Sequence, residues 1–249
     1  MSAKYKDRFT IICPYMNQND IIPIKHFLGR EYSYIFRQDT AQIGSDLMYQ
    51  KLWKECTNDI FILHADMVPS YQNFGKDLLE YVDKYREAGI FGCKLLYPTE
   101  EKIIQSAGGK FTDGNPDHFG SGLVIETGNT FKDELLYDSD DLNKVYEVAW
   151  TTFGGVYIRR EVLDKVGDFD MEFEWSYNRD VDYCLSARKA GWKIYQIPIE
   201  IIHHESMDNK RLRQVNSSLN AKESRNLQRL KNKWENTEFY STIFEEVYD

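Results

Sequence analysis

The sequence has no long apolar run, and this absence excludes two classes of protein. Its longest apolar runs, such as Ile60 to Leu63, fall far short of the roughly 20 residues that a membrane-spanning helix needs. The first eight residues lack the apolar segment and the small-residue cleavage site of a secretory signal. We therefore expect no membrane span and no export by the signal-peptide route.

Cysteine is scarce and scattered. Only four cysteines occur, at positions 13, 56, 93 and 184, and no two of them lie close together in the sequence. Zinc-binding motifs and disulfide-rich folds both use closely spaced cysteines. We expect four reduced thiols in a cytoplasmic protein, with Cys13 and Cys184 as small core residues.

Basic residues are outnumbered by acidic ones. The 249 residues include 31 Lys and Arg against 40 Asp and Glu, which gives a net charge of −9. A broad nucleic-acid-binding face is not expected, because such binding depends on clustered Lys and Arg. The chain is 42% hydrophobic, which is enough for a sizeable core. Its length suits one domain, with or without an appendage.

Strand and helix patterns alternate in the first ninety residues. Short β-rich runs at Phe9 to Cys13 and Asp59 to Leu63 lie on either side of a helical pattern between Gly44 and Cys56. This order favours an α/β layered domain whose ligands bind at the carboxyl ends of the strands. Further patterns predict strands at 90–96, 193–197 and 199–202, helices at 78–88, 159–166 and 180–190, and mostly loops from 108 to 128.

The composition changes after Glu205. Residues 206–249 are rich in Lys, Arg, Asn and Glu, with sparse apolar residues at helical spacing. About forty residues seldom hold an independent core. We therefore expect a domain at 1–205 and an appended pair of amphipathic helices at 206–249.

A candidate metal site follows the strand at 59–63. In extended chain, alternate side chains point to the same side, so His64 and Asp66 could share one cation. An imidazole nitrogen and a carboxylate oxygen suit Mn²⁺ or, less well, Mg²⁺. The alternative is a turn-capping Asp beside a surface His.

An ordered series of motifs occupies residues 150 to 204. In chain order these are Gly154-Gly155, Arg159-Arg160, Gly167-Asp168-Phe169-Asp170, Asp180-Val181-Asp182, Ala190-Gly191-Trp192, Pro198 and His204. Upstream, Gln105 to Gly109 and His118 to Gly122 extend the pattern. The series resembles the inverting nucleotide-sugar glycosyltransferases of family two, particularly their rhamnosyltransferase-like branch. That resemblance implies a GT-A fold, with a mostly parallel sheet flanked by helices and here a C-terminal helical extension.

The resemblance also implies an activity and a donor site. The activity is metal-assisted transfer of a sugar, with inversion, from a UDP-, GDP- or dTDP-linked donor to a saccharide or other hydroxyl acceptor. Asp66 matches the carboxylate that holds the metal and the donor diphosphate, and His204 matches a histidine that reaches them from the last strand. Asp39 matches a residue that contacts the nucleotide base, beside the Pro14-Tyr15 loop.

By the same resemblance, Asp180 matches the base that takes the proton from the acceptor hydroxyl. It begins a predicted helix, where the helix dipole favours the ionised carboxylate. Asp182 is a second candidate for that role. On the acceptor side we expect Gly155, with Trp175 and Tyr177 as aromatic residues that could stack on a sugar or belong to the core.

The sequence departs from the family pattern at three places. His64 replaces the first Asp of the Asp-x-Asp motif, Arg179 replaces the Glu before the base, and Leu47-Met48-Tyr49 replaces an Ala-Arg-Asn near the nucleotide. His203 and His204 occupy adjacent strand positions, so at most one of them faces the site. Two alternatives stay open: a catalytically silent module that binds a nucleotide or saccharide, and a metallohydrolase that uses His64, Asp66, His203 and His204.

Overall fold

The computed structural model describes residue 5 and residues 7–99, 103–121, 141–174, 177–204 and 217–248. The strands are β1 Phe9–Tyr15, β2 Ser33–Gln38, β3 Asp59–Ile62, β4 Met67–Pro69, β5 Ala88–Leu96, β6 Ile104–Ser106, β7 Gly109–Thr112, β8 Asn115–His118, β9 Tyr146–Val148, β10 Val156–Ile158, β11 Lys193–His203 and β12 Phe244–Glu246. The α-helices are α1 Ile22–Leu28, α2 Ser45–Trp53, α3 Phe74–Lys84, α4 Arg160–Val166, α5 Arg179–Lys189 and α6 Ser217–Trp234.

One large mixed sheet forms the centre of the fold. Its main strand order is β2-β1-β3-β10-β5-β11-β9-β12. Strand β1 pairs in parallel with β2 and β3, and β5 pairs in parallel with β11. Strand β10 lies antiparallel between β3 and β5, so β2, β1, β3, β5 and β11 all run in one direction. The predicted α/β class with a largely parallel sheet is confirmed.

Helices cover both faces of the sheet and bury it. Every residue of β5 is buried, as expected for a strand covered on both faces. Buried residues of α1 and α3 belong to the hydrophobic cluster on one face. Those of α2, α4, α5 and α6 belong to the cluster on the other face. Because β1, β2 and β3 are parallel, their carboxyl ends lie at the same edge of this three-layer core.

Several elements differ from the sequence prediction. Helix α3 begins at Phe74, four residues before the predicted start. Part of the predicted loop region forms the β7–β8 hairpin. The two strands predicted around Pro198 are one strand, β11, with an irregularity in register between Ile197 and Glu200. Pro198 is tolerated there because regular pairing is interrupted, so no hydrogen bond of the ladder requires the N–H that proline lacks.

The C-terminal region joins the main core rather than forming a separate unit. Within 217–248 the structure has α6 followed by β12, not two helices, and β12 adds to the sheet beside β9. Leu230 and Trp234 of α6 are buried in the same cluster as residues of α2 and α5. The described part of the C-terminal region therefore packs against the main core, and the domain boundary at residue 205 stays a prediction.

The cysteines and the longest helices bear on two of the sequence predictions. All four cysteines are buried and free, in agreement with reduced thiols and with Cys13 and Cys184 in the core. In the described ranges, no helix combines the length and apolar character needed to cross a membrane.

Candidate active site

A cluster of three potential metal ligands lies beyond the ends of β3 and β11. His64 and Asp66 follow β3, and His203 is the last residue of β11. One candidate ligand atom from each lies within 4.8 Å of the others. His203 Nε2 is 3.4 Å from Asp66 Oδ2. The structure brings together His64 and Asp66 as expected, but through a turn in which the Met67 N–H donates to the His64 carbonyl at 3.2 Å, not through the extended chain that the prediction assumed.

The third member of this cluster is His203, whereas the sequence resemblance predicted His204. Strand β11 pairs antiparallel with β4, and the register sets His203 opposite Met67, next to Asp66. His204 is exposed, and its backbone N–H donates to the Asp66 carbonyl at 2.9 Å. The choice between the two histidines depends on this long-range pairing, which the residue spacing after Pro198 does not reveal.

Gln105 orients His203. Its Oε1 lies 2.6 Å from His203 Nδ1, so Nδ1–H donates to the amide oxygen and Nε2 faces Asp66. Partners of this kind commonly fix the tautomer of a metal-binding histidine. Gln105 belongs to one of the sequence motifs, but no role was predicted for it. The only sequence feature that could have indicated a role is a polar residue shortly before Ala107-Gly108-Gly109.

The protonation states of His64 and Asp66 suit a cation. Burial, together with the nearby His203, lowers the pKa of His64 to about 4, so its imidazole is neutral at pH 7. Burial would raise the pKa of Asp66, but the hydrogen bond and charge of His203 and the charge of His64 outweigh it and hold that pKa below its ordinary value. A neutral imidazole and a carboxylate are the forms that bind metal.

Asp180 lies near this cluster, at the start of α5. Its Oδ1 accepts the N–H of Val181 at 2.9 Å. Both groups lie near the Phe153 backbone, whose N–H lowers the pKa of Asp180 and whose carbonyl raises the pKa of His64. The candidate base and a candidate metal ligand are therefore neighbours of the same peptide segment.

The pKa of Asp180 differs from the sequence expectation. The helix start was expected to favour the ionised form, but burial raises the pKa of Asp180 to about 7. The nearby charge of Asp46 raises it further, while the hydrogen bond from the Val181 N–H and the nearby Phe153 N–H oppose the rise. Desolvation of the carboxyl outweighs the dipole, although Asp180 as a whole residue is only partly buried. A pKa near 7 suits a group that accepts a proton at neutral pH.

A buried ion pair lies beside Asp180 and was not predicted. Arg179 Nη1 is 3.1 Å from Asp46 Oδ2, and both side chains are only 10% exposed. Arg179 Nε also donates to the Phe173 carbonyl at 3.0 Å. The residue that replaces the family's Glu therefore holds α2 against α5. The two residues are far apart in sequence, so no local pattern indicated the pair.

Asp182, the second candidate base, binds α6. Its Oδ1 accepts from Trp234 Nε1 at 2.7 Å, and Lys233 Nζ lies 3.0 Å from its Oδ2. Burial raises the pKa of Asp182, although the contacts with Lys233 and Trp234 oppose that rise. These contacts assign Asp182 to the packing of the C-terminal helix.

The residues predicted on the nucleotide side lie together at the ends of β1 and β2. The N–H of Asp39 donates to the Tyr15 carbonyl at 2.8 Å, and Tyr15 follows Pro14 in β1. Asp39 is buried, and its carboxylate accepts the N–H groups of Ile43 and Gly44 at 3.0 and 2.9 Å. Asp39 therefore organises the loop that leads into α2; its contact with a nucleotide base stays a prediction.

The predicted acceptor residues have different surroundings. Gly155 has a φ of 68°, and a Cβ there would lie 3.1 Å from Ile201, so this position requires glycine for packing. The carbonyl of Tyr177 accepts from the side chain of Asn226 on α6 at 2.8 Å. Trp175 lies outside the described residues.

No protein-family model and no curated protein matches the sequence, but solved structures do. The structure of GalNAc-T7 with UDP, GalNAc and Mn²⁺ matches with a TM-score of 0.54 and 10% identity, over 79% of this chain and 43% of that one. A mannosyltransferase from Pyrobaculum calidifontis, in complex with GDP-Man and Mn²⁺, matches with a TM-score of 0.53 and 11% identity, over 85% and 62%. This chain therefore spans less than two thirds of either neighbour. At such identities the likeness shows the fold, which is the GT-A fold.

Proposed function

We propose that this protein transfers a sugar from a nucleotide-diphosphate donor to an acceptor hydroxyl, with inversion and with a divalent metal ion. One observation carries the proposal: a cluster of metal-ligand side chains and a carboxyl with a pKa near 7 lie close to the backbone of Phe153, on a GT-A fold. The narrower assignment to family two rests on the sequence motifs.

The side chains of the cluster fit a divalent ion. His64, Asp66 and His203 offer imidazole nitrogens and a carboxylate oxygen, a donor set that Mn²⁺ accepts and Mg²⁺ accepts less readily. These three residues would hold the ion. When bound, such an ion stabilises the negative charge that develops on a departing diphosphate.

Asp180 performs the proton transfer. Its carboxylate takes the proton of the acceptor hydroxyl while the hydroxyl oxygen forms a bond to the anomeric carbon. The bond from that carbon to the diphosphate breaks, and its electron pair leaves with the diphosphate. Attack from the opposite face inverts the anomeric centre. A hydroxyl needs a base within hydrogen-bond reach for this step.

The remaining predicted residues complete the proposal. Pro14, Tyr15 and Asp39 would line the nucleotide side, since they lie at the carboxyl ends of β1 and β2, where α/β sheets bind ligands. Gly155, Trp175 and Tyr177 would lie on the acceptor side. We propose a UDP-, GDP- or dTDP-linked donor and, from the four free cysteines, a cytoplasmic location.

The central experiment measures release of nucleoside diphosphate from a panel of UDP-, GDP- and dTDP-sugars with Mn²⁺, with and without saccharide acceptors. We expect turnover of at least one donor and its loss on chelation. Asp180→Asn should keep Mn²⁺-dependent nucleotide binding and lose transfer. No turnover of any donor by the wild-type protein would contradict the proposal.

The metal ligands can be tested by substitution and calorimetry. Asp66→Ala and His203→Asn should each weaken Mn²⁺-dependent binding of the nucleoside diphosphate. His204→Asn is the matched control, because it changes the adjacent histidine, which is exposed and outside the cluster. A loss of affinity in His204→Asn but not in His203→Asn would restore the ligand predicted from the sequence motif.

A second candidate function is a catalytically silent module that binds a nucleotide or saccharide. The observation that favours it is Arg179, which stands where the family has an acidic residue and is held in a buried ion pair. Slow donor hydrolysis separates the two functions. A silent module would bind a nucleotide sugar with saturation and leave it intact during prolonged incubation with Mn²⁺.

A further inference from the structure

Helix α6 lies along the segment that leads into α5 and Asp180. Ion pairs join the two: Arg225 with Glu174, Arg229 with Asp170, and Lys233 with Asp170 and Asp182. Trp234 and Leu230 pack in the cluster that also contains Phe173 and Val181. The C-terminal helix is therefore in direct contact with residues on both sides of the candidate base.

Asn226 is a buried residue of α6 that makes three hydrogen bonds in this interface. Its side chain belongs to a residue that is 2% exposed. The amide oxygen accepts the N–H of Glu174 at 2.9 Å, and the amide nitrogen donates to the carbonyls of Glu174 and Tyr177 at 2.6 and 2.8 Å. One side chain thus satisfies three backbone groups at two positions.

Tyr177, whose carbonyl Asn226 binds, lies immediately before the turn that starts α5. Asn178 follows with a φ of 64°, in the left-handed region that non-glycine residues rarely occupy. Its carbonyl accepts the N–H of Asp182 at 3.0 Å, and α5 starts at Arg179. Asn adopts this conformation more readily than most other non-glycine residues, so the turn suits the sequence and its neighbours set where it lies. Asn226 supplies a bond to the residue just before the turn.

We propose that Asn226 is a positioning residue for Asp180: it holds the Glu174 and Tyr177 backbone so that α5 begins with the carboxyl directed at the acceptor. This inference rests on the proposed function, and it assigns the C-terminal helix to the reaction site. The Arg225–Glu174 ion pair contributes less, because both of its charges are exposed to solvent, where they are screened and lose side-chain entropy. The buried amide, with three bonds, sets the geometry.

The test compares Asn226→Ala with Gln228→Ala. Gln228 lies on the exposed side of the same helix and donates within it, to Asn232 at 2.8 Å. Each purified variant is assayed for Mn²⁺-dependent nucleoside diphosphate affinity, for kcat and its pH profile with the donor that the wild-type protein uses, and for amide hydrogen exchange at residues 177–184.

We expect Asn226→Ala to lower kcat by about 10- to 100-fold, the loss that a displacement of about 1 Å can cause. Nucleoside diphosphate affinity should stay within twofold, the acid limb of the pH profile should shift, and exchange at 177–184 should speed up. Gln228→Ala should match the wild type. If Asn226→Ala does not fold, Asn226→Asp is measured instead, because it keeps the acceptor and the size and lacks the amide donor.

Three outcomes would overturn the inference. In the first, kcat and its acid limb are unchanged in the Asn226 variant. In the second, nucleotide affinity falls as much as kcat, which indicates general loosening of the fold. In the third, Gln228→Ala has the same effect as Asn226→Ala. Inactivity of the wild-type protein towards every donor would instead reject the proposed function on which the inference rests.

Discussion

The raised pKa of Asp180 predicts that the candidate base destabilises the folded protein. In the unfolded chain this carboxyl ionises near its ordinary pKa of 3.8, and in the folded protein near 7. Between these values the unfolded state binds fewer protons than the folded state. The free energy of unfolding contributed by Asp180 therefore falls as pH rises from about 4 to about 7, and is constant above that range.

The expected magnitude follows from the two pKa values. Each unit is worth about 1.4 kcal/mol, so the full penalty for ionising the folded carboxyl is about 4 kcal/mol. Between pH 5 and pH 8 the change is about 3 kcal/mol. In a protein of this size that corresponds to roughly 6–12 °C in Tm. Asp180→Asn has no ionisable group there and should escape this loss.

Urea unfolding at pH 5, 6, 7 and 8, followed by tryptophan fluorescence, measures the effect. We expect Asp180→Asn to gain stability over the wild type progressively from pH 5 to pH 8, although it has lost transfer. Asp20→Asn is the matched control, since it makes the same substitution at an exposed position in the loop before α1. A constant stability difference between Asp180→Asn and wild type across this range would refute the reasoning from burial.

Further predictions concern the same site. The kcat of the wild-type protein should rise with pH through about 7, because Asp180 must be ionised to accept a proton; a rate that is flat from pH 5 to 8 would contradict its role. Gln105→Ala should weaken Mn²⁺ binding about 10- to 100-fold in calorimetry, because His203 loses the partner that fixes its tautomer; equal affinity would show that the bond is dispensable. Arg179→Met should cost about 3–5 kcal/mol in urea unfolding, because the buried Asp46 carboxylate loses the opposite charge of Arg179, and adding Asp46→Asn should recover much of it. Full additivity of those two changes would argue against the pair.

The sequence was sufficient for features set by neighbouring residues. The alternation of apolar runs and helical patterns predicted the α/β class. His64 and Asp66 were expected to share a cation site and do lie together, although a turn rather than extended chain joins them. The start of α5 at Asp180 was correct to one residue, because helix patterns are local.

Features that depend on distant contacts could not be read from the sequence. The choice of His203 over His204 follows from the pairing of β11 with β4. The pKa of Asp180 depends on burial that is created by packing, which outweighs the local helix dipole used in the prediction. The buried pair of Asp46 and Arg179 joins two helices across the core. Each of these requires knowledge of which elements meet in space.

The link through Phe153 has a consequence for variation at that position. The groups that contact His64 and Asp180 belong to the main chain, so they are present whatever side chain residue 153 carries. The Phe153 ring packs in the core against Phe169 and Tyr183, and replacing it alters the shape of that core while the peptide groups remain. Proline alone among the twenty residues would delete the N–H. A substitution at residue 153 therefore changes the packing of the core while the peptide groups near His64 and Asp180 remain.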